Sequence, residues 1–231
     1  VFLPSYDLIG KIEEDWHRND HFQKMAKIKR VVYETSGSRG FEETLDNFKE
    51  GLAHNGSLLF AVYRGKCSEG LDFKDDTARA VFCVGIPFPN LGDVKVQLKK
   101  QFNSSAHGRQ KSLLEGGQWY AHQAFRAYNQ ALGRVVRHLH DYAAIFLVDQ
   151  RFCHEQEYTQ LISKWIRGRV TTPTDQNNSV GMLTEFFEHL TANPPGPAPK
   201  IKAATKKIDA VPGVVPDRSS ARIIEMLQGG L

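Results

Sequence analysis

Two stretches of the sequence gather side chains of the kinds that bind and polarise charged ligands. The first, Arg64-Gly65-Lys66-Cys67-Ser68-Glu69-Gly70-Leu71-Asp72-Phe73, packs two glycines, two acids and two bases into ten residues directly after an apolar run. Open α/β sheets hold their ligands in loops at the carboxyl ends of the strands. In such a loop glycines allow close backbone approach, and acids can hold ribose hydroxyls or order a water or a metal. It is not a phosphate-binding P-loop, because Gly65-Lys66 lacks the earlier glycine and the following Ser or Thr. Read alone, the segment is equally an ordinary polar connection. The second stretch, Gln130-Ala131-Leu132-Gly133-Arg134-Val135-Val136-Arg137-His138, carries two arginines three residues apart, a spacing that on a helix puts both on one face. Gly133 is expected inside that helix at a cost of about 1 kcal/mol relative to Ala, so something is expected to approach closely there. Two guanidiniums beside Gln130 suit stabilisation of charge developing on a transferring phosphoryl group. The bland counterpart is a pair of solvated arginines.

The elements that must position these groups alternate between apolar β-type runs and helical stretches, the pattern of an α/β fold with a largely parallel sheet. Strands are expected at Val1–Leu3, Arg30–Glu34, Ser57–Tyr63, Ala78–Ile86 and Ala143–Asp149. Ser5 is placed to cap a helix over Asp7–Arg18, whose Leu8, Ile12 and Trp16 share one face. Phe41, Leu45, Phe48 and Leu52 form a core-facing stripe between Gly40 and His54. A polar loop is expected from Arg64 to Asp76, a long helix over Gly117–Leu139, and a final helix over Ser179–Leu190.

With 231 residues the chain is long enough for a sizeable core, and its 41% hydrophobic and 24% charged content excludes a wholly disordered or fibrous protein. No apolar run approaches the roughly 18–20 residues that span a bilayer, so no membrane role is expected. The start lacks a basic leader, so no signal peptide is expected, and Cys67, Cys83 and Cys153 are too few and too scattered for a disulfide framework or a four-thiolate metal site. A reducing compartment is the default. Val1-Phe2-Leu3-Pro4-Ser5-Tyr6 reads as a strand already under way, so the sequence is expected to be part of a longer protein. Six of the ten prolines lie between Pro194 and Pro216, and from Asn193 onward six Lys/Arg face three Asp/Glu. A body over residues 1–193 and an extended, basic, mostly disordered tail over residues 194–231 are therefore expected. Arg218–Leu227 could form a short amphipathic helix that docks a partner.

Taken in order, Phe2-x-Pro4-Ser5-Tyr6, the Arg64–Phe73 segment, Gly85-Ile86-Pro87-Phe88-Pro89 and Gln130-x-x-Gly133-Arg134-x-x-Arg137-His138 closely resemble the second motor domain of the XPD-like iron–sulfur DNA helicases of superfamily 2. Leu98-Lys99-Lys100-Gln101-Phe102, Gln118-Trp119-Tyr120, Arg126-Ala127-Tyr128-Asn129-Gln130, Asp141–Leu147 and Arg151-Phe152 extend the resemblance, which covers residues 1 to about 199. Trp165-Ile166-Arg167 and Phe186-Phe187 look most like a telomere-maintenance member of the group. Cys67 and Ala143 depart from the usual pattern, and neither is a proposed charge contact. The resemblance implies a RecA-like (P-loop NTPase-type) α/β motor domain with a Pro-rich tail, nuclear, serving an enzyme that hydrolyses ATP with Mg²⁺ to unwind DNA in telomere maintenance and repair. It implies Arg134 and Arg137 as arginine fingers with Gln130 beside them. Glu69, Gly70, Asp72 and Gly133 would sense nucleotide, and Ser5, Tyr6 and Arg64 would contact single-stranded DNA. The phosphate loop, the Mg²⁺-binding acids and the cysteines of the [4Fe–4S] cluster would lie in a preceding first motor domain, so this part alone is not expected to hydrolyse ATP. Replication, repair or telomere proteins would engage the tail. Two other readings are a free-standing, nonenzymatic RecA-like module binding nucleic acid or protein, and the motor of another XPD-like repair helicase.

No metal is expected. His17 and His21 have the i, i+4 spacing of a zinc pair, but Arg18 stands where a metalloprotease helix carries Glu. Nothing in the sequence fixes His138, His140, Cys153 and His154 in a common geometry. Trp119 and Tyr120 are read as packing of the long helix rather than as stacking platforms.

Overall fold

The computed structural model describes residues 1–196, apart from Asp72, Lys74 and Leu139. All but the first three residues of the tail expected over residues 194–231, including its helix at Arg218–Leu227, lie outside the described residues.

Five parallel strands, β1 (Phe2–Leu3), β2 (Arg30–Tyr33), β3 (Ser57–Val62), β4 (Ala80–Val84) and β5 (Ala144–Val148), form one sheet in the order β2-β3-β1-β4-β5. The register pairs Phe2 with Ala61 and Cys83, Val31 with Leu58, and Ala80 with Ala144. The alternation of a strand sorts the core between the two faces. Leu59, Ala61, Phe2 and Cys83 point into the larger cluster, whereas Leu58, Phe60, Val62 and Leu3 point into the smaller one. Helix α1 (Tyr6–Arg18) covers the smaller cluster through Leu8, Ile9, Ile12 and Trp16, and α2 (His21–Ala26) follows it. Helix α3 (Ser38–Leu52) covers the other face with Phe48 buried and Phe41, Leu45 and Leu52 packed against it, as its apolar stripe requires.

The expected loop after β3 contains a five-residue helix, α4 (Lys66–Gly70), and a single 3₁₀ turn at Asp75–Thr77. Between β4 and β5 lie α5 (Val94–Ser104), α6 (Ala106–Gln110) and α7 (Gly116–Leu132). Beyond β5 come α8 (Arg151–His154), α9 (Gln156–Leu161), α10 (Lys164–Arg167) and α11 (Gln176–Ala192). Among the described residues no helix is long and apolar enough to cross a membrane.

Helix α7 buries Ala124, Phe125, Tyr128, Ala131 and Leu132 against the sheet, and Tyr63 stacks on Tyr128 at 5.6 Å. The expected long helix stops seven residues early. Gly133 is its C-terminal cap, not an interior position, and the next two N–H groups tighten to i−3 bonds, Arg134 to Ala131 O at 3.2 Å and Val135 to Leu132 O at 3.3 Å. Tightening of this kind ends a helix, and the turn it makes buries Val135 in the core. Arg134 and Arg137 are therefore carried by an irregular turn rather than by a helical face, which corrects the sequence expectation. Among the described residues, nothing outside α7 crowds the place of a Cβ at Gly133, which would meet carbonyls of α7 itself, the nearest Asn129 O at 3.3 Å.

Candidate functional site

The carboxyl ends of β2, β3 and β1, adjacent in the sheet, bring together three segments far apart in sequence. Ser5 and Tyr6 follow β1, Glu34 follows β2, and Arg64-Gly65 follow β3. Ser5 does what its position predicts: its Oγ accepts the Leu8 N–H at 3.2 Å and caps α1. Tyr6 is an exposed ring whose hydroxyl donates to Glu34 Oε1 at 3.3 Å, and burial together with that carboxylate pushes its pKa up to about 12. Arg64 adopts a left-handed backbone, φ 62°, uncommon for a residue with a side chain. The turn swings its guanidinium across to α7, where it donates to Gln123 O at 2.6 Å; burial, then the neighbouring Arg126, lowers its pKa.

Glu34, expected from the sequence as the last residue of a strand, organises this edge. It is 2% exposed, its Oε2 accepts the Val62 N–H at 2.7 Å, and its Oε1 accepts the Cys67 N–H at 3.0 Å besides the Tyr6 hydroxyl. Gly65, the N-cap of α4, has no side chain to satisfy that helix, so a carboxylate from the neighbouring strand does it. A Cβ on Gly65 would lie 2.8 Å from both Glu34 oxygens and 2.9 Å from Val62 O, which explains the glycine in this motif. The available signal was a lone acid directly after Val31-Val32-Tyr33, at the end of a parallel strand.

At the other end of α4, Glu69 and Gly70 are exposed, and an added Cβ on Gly70 would touch Phe41 Cζ at 3.3 Å. The chain then returns to the end of α7, where Phe73 N–H donates to Arg134 O at 3.2 Å. The two chemistry-bearing stretches, some sixty residues apart in sequence, thus share a main-chain hydrogen bond. Asp72, expected to belong to this site, lies outside the described residues. Gln130 is exposed on the last turn of α7, Arg134 is half-buried and Arg137 is exposed. The Arg137 guanidinium donates to Gly133 O at 3.1 Å and so satisfies the C-terminus of α7.

The turn is held from below by a carboxylate. Asp141 takes the Arg137 N–H at 3.1 Å on Oδ2, and on Oδ1 the Tyr142 N–H at 2.9 Å and the Arg79 guanidinium at 3.0 Å. Arg79 also lies 4.0 Å over the Tyr142 ring. His138 bonds Asp75 at 2.8 Å. Asp75, His138 and Asp141 bring their ligand atoms within 4.8 Å of one another, but the Asp141 oxygens are already engaged as just described. His17 stacks on Phe22 and His21 meets the edge of Trp16, so both rings are packing partners of α1 and α2. Tyr120 packs likewise, stacked on Phe88 with its hydroxyl donating to Pro89 O at 2.8 Å. The cysteines do not fit an iron–sulfur cluster: Cys67 and Cys83 are buried on α4 and β4, apart from the exposed Cys153 on α8, and burial raises both buried thiols, that of Cys83 to about 12.

The five-stranded, all-parallel sheet with helices on its two faces is the architecture of a RecA-like α/β domain. Residues 1–169 match the helicase C-terminal domain family, and the chain belongs to it. It is 42% identical to the Fanconi anemia group J protein homolog of Gallus gallus over 81% of this chain and 15% of that protein. It is 39% identical to a regulator of telomere elongation helicase 1 homolog of Anopheles gambiae, over 82% of this chain and 20% of the relative. With the regulator of telomere elongation helicase 1 of Bos taurus it shares 36% identity over 95% of this chain and 19% of the relative. The chain thus spans a fifth or less of the length of these relatives, which include proteins named for telomere elongation and for Fanconi anemia.

Proposed function

We propose that this chain is the second motor half of a nuclear, ATP-dependent DNA helicase of the XPD-like group, acting in telomere maintenance and DNA repair. The observation that supports this reading most directly is the Phe73–Arg134 hydrogen bond, which ties the Glu69–Phe73 segment to the turn carrying Arg134 and Arg137. Bound ATP with Mg²⁺ would supply the phosphoryl group whose transfer drives movement. The residues present fit such a ligand, since Gln130 and Arg137 are exposed side chains at the end of α7 and, among the described residues, an added Cβ at Gly133 would meet carbonyls of α7 alone. In this reading Arg134 and Arg137 would place positive charge against the terminal phosphate, Gln130 would orient the site, and Glu69, Gly70, Asp72 and Gly133 would sense the nucleotide. Ser5, Tyr6 and Arg64 lie along the single strand, where phosphate contacts from hydroxyls and bases are usual. The [4Fe–4S] cluster belongs to the preceding motor domain, and repair or telomere proteins would bind the tail.

The test is Arg137→Ala in the full-length protein. Single-stranded DNA binding should persist, and loss of this exposed cation from the C-terminus of α7 should cost about 0.3–1 kcal/mol. ATP hydrolysis should fall by at least about 10²-fold, as for loss of an arginine finger. Hydrolysis retained within about threefold would show that Arg137 is not a finger.

A further inference from the structure

We propose that Glu34 is a positioning residue that locks the loop after β1 and the start of α4 into one register, so that DNA engaged at Ser5, Tyr6 and Arg64 is felt at Glu69 and Gly70. Three donors from the first turns of two helices and the end of one strand converge on this single carboxylate: the Tyr6 hydroxyl, the Val62 N–H and the Cys67 N–H. A carboxylate accepts at both oxygens and donates nothing, so it alone among side chains of this length satisfies all three. A displacement of Tyr6 therefore acts on the acceptor that holds the first turn of α4. That helix is five residues long, about 7.5 Å, and is too short to absorb a shift internally. Its far end leads through Leu71, whose N–H returns to Cys67 O at 3.2 Å, to the Phe73–Arg134 bond. Gly65 sits between the carboxylate and the Val62 carbonyl with no room for a methyl group, so the contact has little slack in which a movement could be lost.

Glu34 touches neither proposed ligand itself, and its role is read through coupling. This inference rests on the helicase reading above, and one experiment separates the two. In the full-length protein, ATP hydrolysis is measured with and without an oligothymidine single strand, for wild type, Glu34→Gln, Tyr6→Phe and the double variant. Wild type without DNA-stimulated hydrolysis would overturn the helicase reading and this inference with it. Given stimulation in wild type, Glu34→Gln, whose amide turns a donor toward one of the three donors, should lower the stimulated-to-basal ratio by about tenfold, a usual size for coupling between sites. The Kd for oligothymidine and the KM for ATP should stay within about threefold, an uncoupling that general loss of fold does not produce. Tyr6→Phe keeps both main-chain bonds and so keeps the fold; it should lower the ratio by about threefold, and by no more once Glu34 is replaced. A folded Glu34→Gln protein that retains its stimulation, or one that loses DNA affinity in step with it, overturns the proposal. Should Glu34→Gln fail to fold, Tyr6→Phe decides: full stimulation in that variant overturns the proposal too.

Discussion

Alanine at two motif glycines, Gly65 and Gly133, should have opposite effects on stability, although the sequence presents them alike. At Gly65 the backbone, φ −77° and ψ 170°, suits any residue, so strain is not the issue. The added Cβ would sit 2.8 Å from both Glu34 oxygens, well inside the ~3.5 Å at which non-bonded heavy atoms rest. The carboxylate must withdraw by about 0.5 Å or more, and its bonds to the Val62 and Cys67 N–H groups lengthen with it. Hydrogen bonds to a charged group contribute about 1.5–3 kcal/mol each, so impairing two buried ones should cost roughly 2–4 kcal/mol. In a domain of this size that is a fall of roughly 5–15 °C in Tm. At Gly133, with φ −70° and ψ −5°, alanine meets, among the described residues, helical carbonyls at 3.3 Å and beyond. A compatible Gly→Ala change stabilises by about 0.4–1 kcal/mol through the unfolded chain, so Gly133→Ala should melt at or slightly above wild type. Urea titration and calorimetry of the two variants measure the difference. Midpoints within about 2 °C of each other would refute both the packing of Gly65 and its explanation by Glu34.

Two further outcomes follow from the charges and thiols. Hydrogen bonds from Arg151, first its side chain and then its N–H, hold the Asp149 carboxyl below the ordinary range. A folded pKa below the unfolded value of about 3.9 gives stability that is complete above that value and lost as pH falls through the folded one. The stability advantage of wild type over Asp149→Asn should therefore shrink between about pH 4 and about pH 2 and be flat above; an advantage unchanged down to about pH 2 would contradict the Arg151 pairing. Burial raises the Cys83 thiol to about 12 and raises Cys67 as well, whereas Cys153 is exposed. Mass spectrometry after iodoacetamide at about pH 8 should find Cys153 modified and the other two intact; alkylation of Cys67 in the folded chain would show that α4 opens.

What could be read in the sequence, and what could not, divides along the range of the forces involved. The strands and α1 and α3 are written in local apolar periodicity, and Ser5 announces its cap within three residues of the N–H it accepts. The end of α7 is set instead by a competition. The pattern of apolar residues runs on through Val135 and Val136, but Gly133 weakens the helix and burial of Val135 rewards a turn, so tertiary packing overrides the local signal. The arginine pair was legible by type and by resemblance, while its scaffold was not: Asp141 and Arg79 fix the turn from 62 residues apart. Glu34 is the extreme case. Its three partners lie 28 to 33 residues away and two of them are main-chain N–H groups, which every residue but proline carries and which leave no mark in a sequence. Its place at a strand end and the glycine at position 65 were its visible traces, and neither names the partners. A glycine with an ordinary backbone conformation in a tightly packed loop therefore points to an unseen neighbour, and the useful question is which buried group stands against it.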